Sequence, residues 1–458
     1  MPTNLRQQFD WQRYPEAEQF LRDRVVAFLR LNSQTSFLAY SIREKTSSPF
    51  FHWLDHLVLP DSKETLATLK ELGFSKDPLA ETSPGRTVYC HPGAVFPRVI
   101  LEEGADPKKP ILEAALKTES VVDFTAHHCI RNTIEGAPIS RFRKVLIYEE
   151  NNTRLWAVER RAYQGYLTET PPFEYYSNYL KAQELWRIRP RFFADDAQGI
   201  LKTEELVEHM ISLIGKGLAG HLIFEGERNY WLKRNRTAQI QKWRQDSLGL
   251  GWTNHDHHTF RCSRRHLHDL VRILEKLGFQ CRERFYAGQE AGWGAQILEH
   301  PVLDISIFAD LDLAPEETQE DFAHHPLPMR KELGTVGLWV GLHGESLLQA
   351  GLHHLAARFD FEKLREDLAK VGIQTMKPFS YFPFLKQAFT QGEQWPLAEP
   401  DRAQRLLEEG SIDQPQYKKF TTEGALGSHL ENLQRWEGFK GFNQRSVSAI
   451  IEATDPRK

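Results

Sequence analysis

A short sequence phrase occurs twice in this chain, and both copies place a histidine in front of an apolar run. The first copy begins with the Asp-His pair at 55–56 and continues to a Leu-x-x-Leu-Gly-Phe segment at 69–74. The second begins with the Asp-His pair at 256–257 and reaches the same segment at 274–279. Repetition of a fixed order along a chain indicates duplicated structural units. Each copy must therefore form the same supersecondary unit.

Each copy ends on a short apolar strand that closes with a glutamate. The segment 99–102, Val-Ile-Leu-Glu, ends the first copy at Glu102, and the segment 296–299, Gln-Ile-Leu-Glu, ends the second at Glu299. Imidazole and carboxylate groups are common protein ligands of Fe, Mn, Zn and Ni. Because side chains alternate across a strand, a histidine near the start of each copy can point inwards. The two His…Glu pairs therefore predict a metal bound between duplicated modules.

The pattern of strands, helices and turns predicts an α+β fold of repeated β-α-β-β-β modules curling around that metal. Each helix ends at a glycine, as left-handed helix ends favour. A weaker third copy has His354 and Arg358 but no acidic strand ending, so both residues are interpreted as structural. The expected segments are an N-terminal helical segment, 1–49; a first metal-binding module, 50–103; a linker and helical insertion, 104–251; second and third modules, 252–399; and a C-terminal segment of open role, 400–458.

The motif around the second histidine resembles one from a known enzyme family. Residues 256–261, Asp-His-His-Thr-Phe-Arg, resemble the N-H-x-T-x-R motif of the iron-dependent 2-oxoadipate dioxygenase/decarboxylase family, in the vicinal oxygen chelate superfamily. Residues 55–59 resemble that family's earlier Asp-His-hydrophobic motif, and 297–300 lie where the family has the strand with its glutamate ligand. The resemblance covers the modules around 50–103 and 252–310, not the middle or the end of the chain.

The resemblance implies Fe(II) held by His56, His257 and Glu299. The donor types themselves would also suit Zn, Ni or Mn. Such an enzyme binds a 2-oxo acid through its keto and carboxylate oxygens, takes up O2, releases CO2 and hydroxylates the retained chain. Arg261 matches the arginine of the motif and is the expected substrate-binding residue, through bidentate hydrogen bonds to a carboxylate. The expected function is a non-haem Fe(II)-dependent dioxygenase/decarboxylase acting on a 2-oxoadipate-like acid.

Several residues leave alternatives open. Pro60 stands where the family has an arginine that grips the distal carboxylate of the substrate, so the substrate is not identified. Glu102 could be a fourth ligand, which would instead indicate an oxygen-independent lyase or isomerase on Zn or Ni. A non-catalytic binding protein on the same modules is a third interpretation. His255 and His258 flank His257, and either could take its place as the ligand.

The composition excludes several function classes. The chain has 458 residues, 40% of them hydrophobic, and a net charge of −4, which is not typical of a nucleic-acid binder. Its four cysteines form no C-x-x-C pair and indicate no disulfide framework. No apolar run is long enough to cross a membrane, and nucleotide-binding or serine-hydrolase motifs do not occur. We expect a soluble, cytoplasmic protein that acts on a small molecule, in an oligomeric state that the sequence does not indicate.

Overall fold

Two curled β-sheets, one in each half of the chain, organise the fold. The computed structural model describes residues 11–104, 112–397, 399–443 and 455–457. The first half contains α1 (Pro15–Leu31), α2 (Ser33–Thr46), β1 (Leu54–Pro60), α3 (Lys63–Glu71), β2 (Ser75–Lys76), β3 (Arg86–Cys90), β4 (Arg98–Glu102), β5 (Leu112–Lys117), α4 (Val121–His127), β6 (Phe142–Glu150) and β7 (Thr153–Arg160). The connecting helices are α5 (Phe173–Ile188), α6 (Asp196–Leu232) and α7 (Arg236–Asp246).

The second half begins at β8 and is longer. It contains β8 (His255–Arg261), α8 (Leu267–Leu277), β9 (Gln280–Tyr286), β10 (Trp293–His300), β11 (Ile305–Asp312), α9 (Thr335–His343), β12 (His354–Arg358), α10 (Phe361–Ala369), β13 (Ser380–Phe382), β14 (Leu385–Phe389), β15 (Glu393–Trp395), α11 (Pro400–Glu408), α12 (Gln414–Glu423) and β16 (Ala425–Arg435).

The first sheet is built from two modules joined at a central strand pair. Its order is β2-β3-β4-β1-β5-β7-β6. Within each module the first strand pairs in parallel with the last, β1 with β4 and β5 with β7. The antiparallel pair β1–β5 joins the two modules. The first module has the order β-α-β-β-β, and the second has one strand fewer.

The second sheet repeats this plan with two full modules. Its order is β13-β14-β16-β12-β8-β11-β10-β9, and β15 adds to β16. Again the first strand of each module is parallel to the last, β8 to β11 and β12 to β16, and the antiparallel pair β8–β12 joins the modules. The predicted α+β fold of repeated β-α-β-β-β modules is confirmed, with four modules in two pairs.

The repeated Leu-x-x-Leu-Gly-Phe phrase ends equivalent helices in the two halves. Gly73 after α3 and Gly278 after α8 have φ values of +87° and +104°, in the left-handed region that favours glycine. A Cβ on Gly73 would lie 2.7 Å from Nε2 of His91, and one on Gly278 would lie 3.0 Å from Nε2 of His300. Glycine is therefore required at this position in both halves, because of the backbone conformation and because a histidine ring lies close to it.

Two of the expected segments differ from the structure. Residues 104–251 were expected to be a linker and helical insertion, but β5, β6 and β7 lie there and complete the first sheet. The three helices that connect the two sheets begin only at Phe173. In the expected C-terminal segment, 400–458, β16 lies between β12 and β14 inside the second sheet. Helices α11 and α12 separate this last strand from the rest of its module, so the acidic ending of the third copy lies far from His354 in sequence.

Helices cover one face of each sheet. Helices α1 and α2 pack on the first sheet around Phe28 and Trp53, and α6 and α8 pack on the second around Phe224 and Phe260. These large side chains are almost fully buried, which removes apolar surface from water and fixes the sheets. Among the helices that the structure describes, none combines the length and the apolar character needed to cross a membrane.

Candidate metal centre

Two histidines and one glutamate meet on the second sheet. His257 on β8, His354 on β12 and Glu431 on β16 each offer a ligand atom, and these atoms lie within 4.8 Å of one another. One Glu431 carboxylate oxygen is 3.2 Å from Nε2 of each imidazole. All three side chains are buried. Two imidazoles and one carboxylate could hold a metal ion and leave coordination positions open, as in non-haem Fe(II) sites.

The strand register brings these three side chains together. Ala356 on β12 pairs with His257 on one side and with Glu431 on the other. His354 lies two residues before Ala356 and therefore on the same face of the sheet. The small side chain of Ala356 leaves space between the three larger ones. The centre thus depends on three strands from two modules.

A buried carboxylate and arginine orient the first imidazole. Nδ1 of His257 is 3.1 Å from an oxygen of Asp256, so Nε2 faces Glu431. Arg435 donates to both oxygens of Asp256, at 3.0 and 2.9 Å, and to the carbonyl oxygens of Phe439 and Gly441. Such outer partners fix the tautomer and the ring orientation of a metal-binding histidine.

The electrostatics of the centre couple His257 to Glu431. Burial alone would lower the pKa of His257, but Glu431 and Asp256 raise it to about 9. Burial would raise the pKa of Glu431, but the two histidines hold it well below its usual range. Burial lowers the pKa of His354 to about 4. Glu431 is therefore anionic and His354 neutral at pH 7, whereas His257 carries a second proton that a bound divalent cation would have to displace.

Aromatic rings pack against the two imidazoles of the centre. The ring centroids of Phe308 and Phe442 lie 4.9 and 5.2 Å from that of His257, and Phe389 lies 5.0 Å from His354. Phe308 and Phe442 also contact each other edge to face at 4.5 Å. This aromatic collar, Phe308, Phe389 and Phe442, limits access of water to the centre.

Phe308 occupies the place where a symmetric site would have a fourth ligand. In the fourth module of the structure, which runs from β12 to β16 and contains the third copy of the sequence pattern, His354 pairs with His429. Glu431 follows two residues later on β16. In the third module, His257 pairs with Ser306, and Phe308 follows two residues later on β11. The two modules are thus related position by position, but only one supplies a carboxylate. Among the described residues, the centre therefore has three protein ligands available rather than four.

The structure does not bring His56 to this centre. His56 lies on β1 in the first sheet, where Nδ1 is 2.7 Å from Asp55 and the ring meets Tyr166 at 4.9 Å. Among the described residues, no group with metal-ligand spacing includes His56 or Glu299. The expected set of His56, His257 and Glu299 does not converge, because the chain forms two separate sheets and His56 belongs to the first.

The two glutamates that match in sequence lie on non-equivalent strands. Glu299 is on β10, the third strand of its module, and pairs with Lys440 at 3.0 Å and Arg282 at 3.4 Å. Glu102 is on β4, the fourth strand of its module, and pairs with Arg86 at 2.6 Å. Different loop lengths within the two modules produce the match in sequence. The structure places neither carboxylate in a group that could hold a metal with His257.

Arg261, the expected substrate-binding residue, is buried further along β8. Its guanidinium lies 5.5 Å from the ring centroid of Trp339. Burial lowers its pKa to about 10, against the opposing influence of Asp310 and Asp312. Burial also raises the pKa of Asp310 to about 7, despite the nearby charges of Arg261 and His257. A role of Arg261 in substrate binding stays a prediction.

The two histidines that flank His257 point elsewhere. The rings of His255 and His258 meet edge to face at 5.4 Å, and Nε2 of His258 is 3.3 Å from Arg228 on α6. An irregularity in the β8–β12 pairing next to His257 places His255 on the same side as His258. Neither belongs to a described group with metal-ligand spacing, so His257 is the ligand candidate on β8.

Sequence reasoning missed His354 as a ligand candidate, and it missed Glu431 and Arg435 altogether. The Leu-Glu ending at 430–431 has the form of the endings at Glu102 and Glu299. This ending could have identified Glu431 as the acidic partner of His354, but α11 and α12 separate the two residues widely in sequence. Arg435 had no signal in the sequence, since an isolated arginine at a strand end is ordinary.

The first sheet carries the same supporting contacts without the other two ligands. Arg160 donates to both oxygens of Asp55 at 2.7 and 2.8 Å, and to the carbonyl oxygens of Tyr163 and Gly165. At the positions equivalent to His354 and Glu431, the register places Glu113 and Trp156. The first sheet thus repeats the Asp-His-Arg arrangement but lacks the ligand set.

Comparisons with known proteins identify no family for the chain. No protein-family profile and no curated protein matches it. Among solved structures, a variant of 4-hydroxymandelate synthase from Streptomyces coelicolor aligns over 90% of this chain and 98% of its own, with 13% identity and a TM-score of 0.28. A methylmalonyl-CoA epimerase from Mycobacterium tuberculosis aligns over 40% and 89%, with 13% identity and a TM-score of 0.24. Similarities this low add nothing to what the strand order itself shows.

Proposed function

We propose that this chain is a non-haem Fe(II)-dependent dioxygenase that decarboxylates a 2-oxo acid, with His257, His354 and Glu431 as the metal ligands. The observation that supports this most is the meeting of two buried imidazoles and one buried carboxylate on adjacent strands. The reaction combines a 2-oxo acid with O2 and gives CO2 and a hydroxy acid one carbon shorter. One oxygen atom of O2 enters the new carboxylate and the other the new hydroxyl group.

The bound Fe(II) would supply Lewis acidity and the redox chemistry that activates O2. The residues of this chain hold and enclose it. Nδ1 of His257 donates to Asp256, so that loss of the Nε2 proton would free Nε2 for the metal, while Gln387 donates a hydrogen bond of 2.8 Å to the second oxygen of Glu431. The aromatic collar keeps water from competing for the open positions. Zn, Ni and Mn are the alternative metals for this donor set.

The aromatic collar supports a 2-oxo acid with an apolar or aromatic side chain. Phe308, Phe389 and Phe442 offer ring faces and edges beside the ligands. A second carboxylate, as in 2-oxoadipate, would need a cationic partner to be buried among these rings. Arg261 is the cation on β8 that could provide one. We therefore rank an aromatic 2-oxo acid above 2-oxoadipate, the substrate expected from the sequence.

Metal analysis and oxygen uptake test this function together. Anaerobically purified protein should hold about one Fe per chain, since the described residues contain one group of two imidazoles and a carboxylate with metal-ligand spacing. Oxygen uptake should follow addition of phenylpyruvate more strongly than addition of 2-oxoadipate. His354→Ala should lose both the iron and the uptake, while His56→Ala should keep both. Loss of iron in His56→Ala with retention in His354→Ala would overturn the ligand set.

An oxygen-independent lyase or isomerase is the second candidate. It would need four protein ligands, including the glutamate that Glu102 was considered to supply. The contacts of Glu102 with Arg86 and the presence of Phe308 at the fourth position favour the three-ligand centre. Bound Zn or Ni without oxygen uptake would favour this alternative. Purified protein that binds no transition metal would instead favour a non-catalytic binding protein.

A further inference from the structure

Two adjoining cavities lie between the halves of the molecule. The first, of about 340 Å³, is lined by residues of both sheets, and the second, of about 290 Å³, also by residues of α6. Lys117, His255, Asp304 and Ile305 line both cavities. Lys117 of the first half forms an ion pair of 2.8 Å with Asp304 of the second. We call the two cavities together the inter-half chamber.

Most charged side chains of the inter-half chamber are already paired. In the first cavity, Arg98 pairs with Asp77, and Arg435 pairs with Asp256. Lys440 pairs with Glu299 in the same cavity. In the second cavity, the charged pairs are Arg160 with Asp55, Arg161 with Glu159 and Lys242 with Glu119.

Arg358 and Arg228 are the exceptions. Arg358 ends β12 and lines the first cavity, its Nε is buried without a hydrogen-bond partner, and no described carboxylate lies within ion-pair distance of it. Arg228 on α6 lines the second cavity, and its nearest polar side-chain contact among the described residues is His258, at 3.3 Å. Burial lowers the pKa of both guanidinium groups. A buried cation without an anionic partner is costly.

His255 connects the two arginines. It lines both cavities, and its Nδ1 is buried without a hydrogen-bond partner among the described residues. The acids near these groups are engaged or distant: Asp256 by Arg435, Asp304 by Lys117, while the closest ionic contact of Glu225 is His221 at 3.9 Å. A ligand with two acidic groups would satisfy both arginines and the imidazole at once.

From this geometry we propose that the inter-half chamber is a binding site for a small dianion, a dicarboxylate or a phosphate ester, held by Arg228, His255 and Arg358. Guanidinium groups bind carboxylates and phosphates through paired hydrogen bonds. The site contains none of the three proposed metal ligands and does not depend on the metal.

Titration calorimetry of the metal-free protein tests the proposal. Glutarate represents the dicarboxylate and inorganic phosphate the phosphate ester, and neither carries the 2-oxo group of a metal-chelating substrate. Saturable binding of at least one of them is expected. Arg358→Gln should weaken that binding by about tenfold or more, since a charge-assisted hydrogen bond is lost. Arg187→Gln, which removes an exposed arginine paired with Glu184, is the matched control and should leave binding unchanged.

The outcomes separate clearly. Binding of glutarate alone assigns a dicarboxylate, and binding of phosphate alone assigns a phosphate ester. Absence of binding of both anions, or equal binding by wild type and Arg358→Gln, would overturn the proposal. If Arg358→Gln does not fold, Arg228→Gln provides the same test from the other cavity. Circular dichroism of each variant without ligand establishes that it is folded.

Discussion

The two halves of this molecule have the same plan but different centres. In each half, the first strand carries an Asp-His pair, and an arginine from the last strand of that half pairs with the aspartate. This arginine is Arg160 beside Asp55 and His56, and Arg435 beside Asp256 and His257. An aromatic ring then packs edge-on against each histidine, Tyr166 in the first half and Phe442 in the second. Only the second half adds a histidine and a glutamate from the neighbouring strands.

Under the proposed function, the Asp-His pair by itself does not make a metal site, because both halves have the pair and only the second half has a group with metal-ligand spacing among the described residues that includes it. The pair and its arginine form a buried, fully paired charge network, which stabilises each sheet where its modules meet. The metal chemistry depends on what the facing strands supply. In the first half these are Glu113, engaged by Arg86 and Arg154, and Trp156. Support and ligation are therefore separate functions of the same fold.

The largest expected effect comes from removing Glu431, a proposed metal ligand whose position in the first half is taken by Trp156. Glu431→Ala should lower metal affinity by more than about 100-fold, beyond the effect usual for an outer partner, and abolish oxygen uptake. Trp156→Ala, at the equivalent position in the first half, should leave metal affinity unchanged and lower only stability. Metal analysis after dialysis measures both. Retained metal in Glu431→Ala would break the comparison.

Substitution of Arg435 or of Arg160 should lower stability by a similar amount, but only substitution of Arg435 should lower metal affinity. Arg435→Gln and Arg160→Gln each leave a buried aspartate unpaired and should each lower the free energy of unfolding by about 3–5 kcal/mol. Only Arg435→Gln should also lower metal affinity, by about 10–100-fold, because it releases Asp256 from His257. Urea unfolding and metal titration separate the two effects. Equal loss of metal in both variants would contradict independent halves.

The first half should show its own acid dependence. Burial opposes ionisation of Asp55, but Arg160 holds the pKa of that carboxyl well below its usual range. A folded-state pKa below the unfolded one gives stability that is present above about pH 4 and lost as pH falls below it. The difference in unfolding free energy between wild type and Asp55→Asn should therefore shrink from pH 5 to pH 3. A constant difference, measured by urea unfolding, would exclude this ion pair as its source.

The smallest effects should come from substitution of Glu299 and His56, which the sequence predicted as metal ligands but which lie outside the centre. Glu299→Gln removes partly exposed ion pairs and should change the unfolding free energy by less than about 1 kcal/mol. Neither Glu299→Gln nor His56→Gln should alter metal content. Elemental analysis checks both variants, and loss of metal in either would restore the first ligand set.

Much of the fold could be predicted because the repeat is local. The Gly-Phe ends of α3 and α8 are determined by left-handed glycines and by contact with His91 and His300, and both leave a readable phrase. The β-α-β-β-β order of the two modules that contain this phrase could be predicted from its position relative to the apolar runs. The second module has no such phrase, so the segment that contains its strands β5 to β7 was assigned to a linker and insertion rather than to the first sheet.

The centre was harder to predict because strand pairing is not local. His257 was identified, but its partners were taken from matching sequence positions rather than from neighbouring strands. Glu299 matches Glu102 only because loops of different length compensate. The partners that count, His354 and Glu431, are determined by the β8–β12–β16 pairing, which no single-sequence pattern reveals.

The position of β16 has a consequence for the order in which the molecule forms during synthesis. All strands of the first sheet lie within residues 54–160, so that sheet can close while the ribosome is still making the second half. The second sheet has to wait for β16, and until then β12 and β14 keep unpaired edges. The nascent chain therefore presents His257 and His354 long before Glu431 exists. At the proposed centre, metal binding would therefore be a late event, after the first sheet has formed.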